Sequence, residues 1–130
     1  MPSRYQDWLA QGLRDLKAAR SMLDGGFYEW AAFQAHQAAE KGLKALLRFR
    51  HREYRGHRLV AMLEVLGMEL SVPEALIEAA RELDWHYMGS RYPNHFAEGY
   101  PAKYYDRKIA QRYVEHAERI LEFVQQNLGE

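Results

Sequence analysis

The sequence predicts an all-α fold, an up-and-down bundle of four long helices plus one short helix, and three observations favour it. Apolar residues recur at spacings of three and four over long stretches, which is the period of an amphipathic helix. Glycine and proline, which commonly end helices, separate these stretches. No stretch alternates apolar and polar residues between hairpin turns, so the sequence predicts no strand. Consecutive long helices joined by short links then give a bundle.

The composition is typical of one ordinary globular domain, which we assign to residues 1–130. A chain of this length can bury a core without disulfides. Its 18 basic and 18 acidic residues leave no net charge that would attract nucleic acid or an anionic membrane. The absence of cysteine excludes disulfides, thiolate catalysis and cysteine-based zinc sites. No apolar run approaches ~18 residues and no signal-like segment follows Met1, so we expect a cytoplasmic protein without a membrane partner.

The first two helices are predicted from their apolar and small residues. The first runs from Ser3 to Leu23 and ends at Gly25 and Gly26. The second runs from Tyr28 to Arg50, and one of its faces carries only small residues. They are Ala31, Ala35, Ala38, Gly42 and Ala45. Because small side chains let neighbouring helices approach closely, the sequence predicts that the second helix is central.

The opposite face of the second helix is polar, with two large aromatic residues among its side chains. The polar residues are Gln34, Gln37, Lys41, Lys44 and Arg48. Trp30 and Phe33 either form a dimer surface or pack under a crossing loop, and both interpretations stay open. His36 and Glu40 lie one helical turn apart and could ligate a metal. No third ligand has suitable spacing, so we expect an i,i+4 hydrogen-bonded pair and no metal site.

A basic segment, residues 48–58, joins the second helix to the third. It reads RFRHREYRGHR and holds five Arg and two His against one Glu. It is either a solvated loop or a patch that contacts phosphate, because the planar fork of Arg suits phosphate oxygens. A short third helix is predicted from Arg58 to Leu66, with Gly67 ending it.

The fourth helix is predicted to begin with a capping box. Ser71 is followed by Glu74 three residues later, and Pro73 lies in the first turn. Its apolar stripe consists of Leu76, Ile77, Ala80, Leu83 and Tyr87. Asp84 lies on the edge of this stripe, where burying a carboxylate without a partner is costly. We therefore expect an Arg or His partner, and Arg91 is the nearest in sequence.

The stretch 84–95, DWHYMGSRYPNH, is where the sequence predicts a binding site. It runs from the end of the fourth helix into a loop and places polar and aromatic side chains at the mouth of the bundle. Pro93 biases Tyr92 toward extended geometry. The last helix is predicted to begin after an N-cap at Asp106. Its core-facing stripe is Ile109, Tyr113, Ala117, Ile120, Leu121, Val124 and Leu128.

Each candidate site residue has two interpretations. Arg91 can contact a phosphate through two hydrogen bonds, or it can pair with Asp84 and hold the loop on the fourth helix. His86 and His95 can act as general acid and base, because imidazole titrates near neutral pH, or they are packed or solvated. The tyrosines can stack on a base or cap the bundle mouth. They are Tyr87, Tyr92, Tyr100 and Tyr104.

Three segments in this order resemble the HEPN domain family. They are FQAHQAAEKGLKALL in the second helix, GHRLVAML at the third and YMGSRYPN after the fourth. The resemblance covers nearly the whole chain. It implies a small helical bundle that forms homodimers, is often encoded beside a minimal nucleotidyltransferase, and binds nucleotides. One large branch of the family comprises metal-independent ribonucleases that act as toxins or defence effectors.

The ribonuclease branch carries an Arg and a His separated by four to six residues at the start of the last long helix. Here Arg91 and His95 have three residues between them, and Pro93 interrupts the pair. Arg52 and His57 have the required spacing but lie in the loop after the second helix. The SRYPN segment is similar to the RYP-type branch, for which the resemblance implies nucleotide or phosphate binding.

We therefore expect a homodimeric nucleotide- or phosphate-binding module that is not an enzyme by itself and needs no cofactor. The predicted site consists of Asp84, Tyr87, Arg91, Tyr92 and Asn94. The expected partner is a minimal nucleotidyltransferase, in a system resembling a toxin–antitoxin pair. Two alternatives stay open: a metal-independent ribonuclease that uses Arg91 and His95 on RNA, and a structural dimer without a ligand.

Overall fold

The computed structural model describes residues 4–129, which form a bundle of five helices. The helices are α1 (Tyr5–Asp24), α2 (Tyr28–Phe49), α3 (Leu59–Leu66), α4 (Glu74–Gly89) and α5 (Arg107–Asn127). Two 3-10 turns, Pro93–His95 and Pro101–Tyr104, lie between α4 and α5. The described residues contain no strand, so the predicted all-α bundle of four long helices and one short helix is confirmed. The predicted start of the first helix, Ser3, lies outside the described residues.

The second helix is central, as its small-residue face predicts. α2 packs against α1, α3, α4 and α5. A Cβ atom on Gly42 would overlap the side chain of Leu121 in α5. A Cβ atom on Gly12 of α1 would lie 3.1 Å from the carbonyl oxygen of Ala38 in α2. These two glycines therefore allow α1 and α5 to approach α2 closely.

The core lies along α2 and is built mainly from leucine. Its fully buried apolar side chains are Leu43, Leu46, Leu47, Leu59, Met62, Leu63, Leu66, Leu83, Ile120, Leu121 and Val124. Leu13 of α1 is 37% exposed. It lies at the edge of a stripe whose buried members include Leu9 and Leu16. Within residues 4–129, no helix has both the length and the apolar character that crossing a bilayer requires.

The helix ends agree with the sequence at two places and differ at one. Gly26, with a φ of 84°, follows the end of α1, and the Asp106 side chain accepts a hydrogen bond from the Ile109 amide at 2.8 Å as the N-cap of α5. The predicted capping box at Ser71 is wrong. Pro73 occupies the N-cap of α4 in extended conformation, and no side chain caps this helix end. Because α4 begins at Glu74, Ser71 lies too far upstream to accept from its first amides.

Candidate functional site

The candidate site is built around the ring of Tyr87 near the end of α4. Three other rings surround it, with centroid distances of 6.0 Å for Phe33, 4.5 Å for His36 and 5.6 Å for His57. The His57 ring lies nearly parallel to the phenol, at 16°. We call these four residues the Tyr87 cluster. It brings together α2, the loop before α3, and α4.

The guanidinium of Arg91 lies on this cluster. Its central carbon is 4.4 Å from the ring centroid of Phe33, 4.6 Å from that of Tyr87 and 5.0 Å from that of Tyr92. Its Nε donates to the Tyr87 carbonyl oxygen at 3.2 Å, and its Nη2 lies 3.5 Å from the sulfur of Met88. Among the residues that the structure describes, no carboxylate pairs with it. Arg91 is therefore held by rings and keeps its charge uncompensated.

Asp84 does not pair with Arg91, so the expectation of that ion pair is wrong. Its carboxylate accepts hydrogen bonds from the amides of Leu59 at 2.8 Å and Val60 at 3.0 Å, and its Oδ1 lies 3.1 Å from His36 Nε2. The first amides of a helix have no partner within the helix and attract negative charge. Asp84 therefore caps the N-terminus of α3, and His36 is the Arg or His partner that the sequence predicts for it.

Glu40 of α2 connects His57 to the interior. Its Oε2 lies 2.9 Å from His57 Nδ1 and accepts from Lys44 Nζ at 2.9 Å, whereas its buried Oε1 has no hydrogen-bond partner. His36 Nδ1 lies 3.8 Å from this Oε1, so the expected i,i+4 pair forms at ion-pair distance and not as a hydrogen bond. Glu40 thus orients an imidazole that belongs to the site and that was not among the predicted site residues.

The remaining predicted site residues are exposed. Tyr92 is 44% exposed, and Asn94 and His95 are also exposed. The ring of His95 packs edge-on against Trp85, at 6.5 Å, and against Phe96, at 5.1 Å. The structure therefore brings Tyr87, Arg91 and Tyr92 together, and it directs His95 toward other aromatic neighbours.

His86, considered above as a general acid or base, has both ring nitrogens occupied. Nδ1 lies 2.6 Å from the Tyr105 hydroxyl and Nε2 lies 2.5 Å from the Tyr113 hydroxyl. Burial lowers the pKa of His86 to about 4, so the ring is neutral near pH 7. Burial also raises the pKa of Tyr113 to about 12 and raises that of Tyr105. His86 therefore joins α4 to α5 and to the preceding turn, which agrees with its packed interpretation.

Two further tyrosines, Tyr100 and Tyr104, belong to the loop before α5. Tyr104 stacks on Phe96 with a centroid distance of 4.0 Å, and its hydroxyl donates to the Glu98 carbonyl oxygen at 2.5 Å. Tyr100 is 53% exposed, with the Lys103 ammonium 5.5 Å from its ring centroid. These contacts hold the loop together, which favours the interpretation that both rings cap the bundle mouth.

Comparison with known families identifies the chain. The model of the HEPN domain family matches residues 5–127. The chain belongs to the HEPN domain family. The three segments that resemble this family are the ones that meet at the site. The first supplies Phe33, His36 and Glu40, the second His57, and the third Tyr87 and Arg91.

Solved structures support the same assignment. The chain is similar to TT1696 from Thermus thermophilus, with a TM-score of 0.94 and 39% identity over 97% of this chain and 99% of that one. It is similar to ST0689, an archaeal HEPN homologue, with a TM-score of 0.80 and 39% identity over 97% and 98% of the two chains. It also resembles an HEPN domain protein, TM0613 of Thermotoga maritima, with a TM-score of 0.79 and 30% identity over 95% and 98%. No curated protein sequence matches the chain.

Proposed function

We propose that this HEPN protein is a nucleotide- or phosphate-binding module in which Arg91 holds the phosphate. One observation carries the proposal: the Arg91 guanidinium rests on the rings of Phe33, Tyr87 and Tyr92, and none of the described carboxylates neutralises it. Arg presents a planar set of donors that matches phosphate oxygens. Because the side chain is half-buried, its attraction for an anion is stronger than that of a fully solvated charge.

The residues around Arg91 suit the rest of a nucleotide. Tyr92 presents an exposed ring beside the guanidinium, and such rings stack on bases of any sequence. Asn94 is exposed in the 3-10 turn Pro93–His95 and has both donors and acceptors for a sugar or a base edge. Tyr87 and Asp84 position other groups: the ring of Tyr87 supports the Arg91 guanidinium, and the Asp84 carboxylate holds α3 against α4.

We further propose that the protein is a homodimer and that the Arg91 site opens at its interface. Trp30, Trp85 and Met88 are 44%, 70% and 49% exposed, and large exposed apolar side chains are typical of protein interfaces. Trp30 packs edge-on against Phe33, which lies under Arg91, so this apolar face borders the site. A minimal nucleotidyltransferase in a toxin–antitoxin-like pair remains the proposed partner, and its support is the resemblance of the YMGSRYPN segment.

Titration calorimetry with AMP, ADP and ATP tests the binding proposal. We expect saturable binding of at least one of them, and weaker binding as salt is added, because the phosphate contact is electrostatic. Binding should depend on the presence of a phosphate, so adenosine is the matched control ligand. If none of the three nucleotides binds to the dimeric protein, the proposal is wrong and the structural-dimer alternative is favoured.

One observation favours the ribonuclease alternative in a modified form. His57 stacks on the ring that supports Arg91, and Glu40 lies 2.9 Å from its Nδ1, an arrangement that orients an imidazole for proton transfer. In this form the general base is His57 and not His95. Single-stranded RNA incubated without metal would be cleaved by the wild-type protein and by His95→Ala, but not by His57→Ala. Intact RNA after prolonged incubation would exclude this alternative.

A further inference from the structure

A second cationic surface, whose lining shares no residue with the Tyr87 cluster, lies between the start of α1 and the end of α2. It is a cavity of about 380 Å³ that also includes part of the basic segment 48–58. Its charged and aromatic lining includes Trp8, Lys44, Arg48, Arg52, Glu53 and Arg55. We call it the Trp8 pocket. Four of these side chains are cationic and one is acidic, so the pocket carries positive charge in a molecule whose net charge is zero.

Two of the cations are held in place by the indole. The Arg48 guanidinium lies 4.7 Å from the ring centroid of Trp8, and the Lys44 ammonium lies 5.7 Å from it. An aromatic face attracts a cation without neutralising it. Arg48 is therefore ordered although it is exposed, which distinguishes the pocket wall from a solvated, freely moving loop.

The charges of the pocket are only partly balanced within the described chain. Lys44 pairs with Glu40 at 2.9 Å, and Arg52 pairs with Glu69, outside the pocket lining, at 2.9 Å. Arg48 and Arg55 have no ion-pair partner among residues 4–129. Both residues line the same pocket, where Glu53 is the one acidic lining residue, so an excess of positive charge remains that a bound anion would reduce.

The size and chemistry of the Trp8 pocket define a ligand class. Cavities of roughly 300–1,000 Å³ take small molecules, and this one lies near the lower limit. The planar guanidinium group of Arg can donate two parallel hydrogen bonds, a geometry that matches the oxygens of phosphate and of carboxylate. We propose that the Trp8 pocket binds the phosphate or diphosphate group of a small ligand, at a site separate from Arg91. The pocket thereby gives a role to arginines of the basic segment, of which the Tyr87 cluster includes only His57.

Magnetic resonance can test this pocket directly, because the chain has three Trp residues and hence three indole N–H signals. Each signal is assigned by a Trp→Phe substitution. Titration with pyrophosphate should shift the Trp8 signal in a saturable way, whereas the Trp30 signal reports separately on the Arg91 site because Trp30 packs against Phe33. The Arg48→Ala/Arg55→Ala double variant should bind pyrophosphate at least about tenfold more weakly, since it lacks both unpaired guanidinium groups.

Two control variants separate the pocket from general charge effects. Arg14→Ala removes an exposed charge elsewhere on α1 and should leave the pyrophosphate-induced shift of the Trp8 signal as in the wild type. The Arg48→Gln/Arg55→Gln variant keeps the side-chain bulk and should lose binding as the alanine variant does. The proposal is overturned if the Trp8 signal does not saturate, if the double variants bind normally, if Arg14→Ala weakens binding equally, or if only a single-stranded oligonucleotide binds.

Discussion

At the scale of single residues, the binding proposal depends on how Arg91 is held. A carboxylate partner would fix the guanidinium and also cancel its charge. The quadrupole of an aromatic ring attracts the guanidinium to the ring face without cancelling its charge. A well-placed contact of this kind is worth about 0.5–2 kcal/mol. Arg91 contacts three rings, so its fork is ordered before any ligand arrives. A preorganised donor loses less side-chain entropy on binding, which increases affinity.

His86 predicts a dependence of stability on pH. Burial lowers its pKa to about 4 in the folded protein, against about 6.5 in the unfolded chain. The unfolded chain therefore binds the proton first, so the contribution of His86 is complete above pH 6.5 and is lost as the pH falls toward 4. Because the ring is partly exposed, we expect a loss of only about 1–2 kcal/mol in the free energy of unfolding.

Urea unfolding of His86→Gln and wild-type protein at several pH values between 7.5 and 4.5 checks this prediction. The variant lacks the titrating ring, so its stability should fall less steeply than that of the wild type over this range. His51→Asn removes an exposed imidazole of the basic segment and should keep the wild-type slope. Parallel slopes for His86→Gln and the wild type would show that His86 is not buried in its neutral form.

The partners of the site residues were less predictable than the residues themselves. Composition and spacing were sufficient to select Arg91, Tyr87 and Tyr92, which the structure brings together. The amide that Asp84 binds lies 25 residues away in sequence, and His57 reaches Tyr87 across the α2–α3 loop. Such contacts depend on how the helices pack, and a pattern within one helix carries no information about them.

At the scale of elements, the orientation of α3 depends on one carboxylate. Asp84→Ala would leave the Leu59 and Val60 amides without their partner and His36 without its acceptor. Losing a capping side chain costs about 0.5–2 kcal/mol, and we expect the upper part of that range because three hydrogen bonds are lost. Equilibrium unfolding measures this cost.

Hydrogen exchange localises the same effect. The amides of Leu59 and Val60 should exchange faster in Asp84→Ala than in the wild type, whereas those in the middle of α5 should change only through global stability. Asp24→Ala, which removes an exposed carboxylate at the end of α1, is the matched control and should leave α3 protected. Unchanged protection of these two amides in Asp84→Ala would contradict the capping role.

Because α2 and α5 lie close together at Gly42, we expect a larger side chain at this position to destabilise the protein. Gly42→Leu would force a branched side chain against Leu121 and Val124, which are both buried in the core. Overpacking of this kind destabilises by about 1–3 kcal/mol. Thermal unfolding should show a clear loss for Gly42→Leu and little change for Ala10→Leu, an exposed position on α1. An equal loss at both positions would mean that α5 does not lie close to Gly42.

The helices themselves were predictable because each carries its own periodic signal. α2 was predicted from Tyr28 to Arg50 and runs from Tyr28 to Phe49. The start of α4 was predicted incorrectly at Ser71 because the capping-box pattern is also satisfied upstream of a proline that itself stays extended. Local patterns thus predict where helices lie better than which residue begins them.

At the scale of the whole molecule, the bundle brings the three HEPN-like segments to one place. α1 and α5 pack along α2 and contribute to the core, while α4 and the α2–α3 loop carry Tyr87 and His57 of the proposed site. The net charge of zero gave no sign of this arrangement, although Arg91, Arg48 and Arg55 have no ion-pair partner within residues 4–129. The composition therefore argues against a long-range electrostatic field of one sign, but it does not exclude an anion-binding site at one place on the surface.

The exposed apolar face predicts the oligomeric state. Trp85 is 70% exposed, so a charged replacement there would disrupt a dimer without disturbing the core. Light scattering coupled to size-exclusion chromatography should give a dimer mass for the wild type and a monomer mass for Trp85→Glu. Met68, which is 82% exposed at the turn after α3, provides the control, and Met68→Glu should stay dimeric. A monomeric wild-type protein would contradict the proposed dimer.

The most direct test of the account is the affinity of Arg91 variants for the nucleotide that binds the wild type best. Losing a charged hydrogen-bond pair should weaken binding by about 10- to 100-fold in Arg91→Ala. Arg91→Lys should recover only part of this loss because it lacks the planar fork, and Arg81→Ala, which removes an exposed charge from the same helix, should bind normally. Equal affinities for Arg91→Ala and the wild type would contradict the claim that Arg91 holds the phosphate.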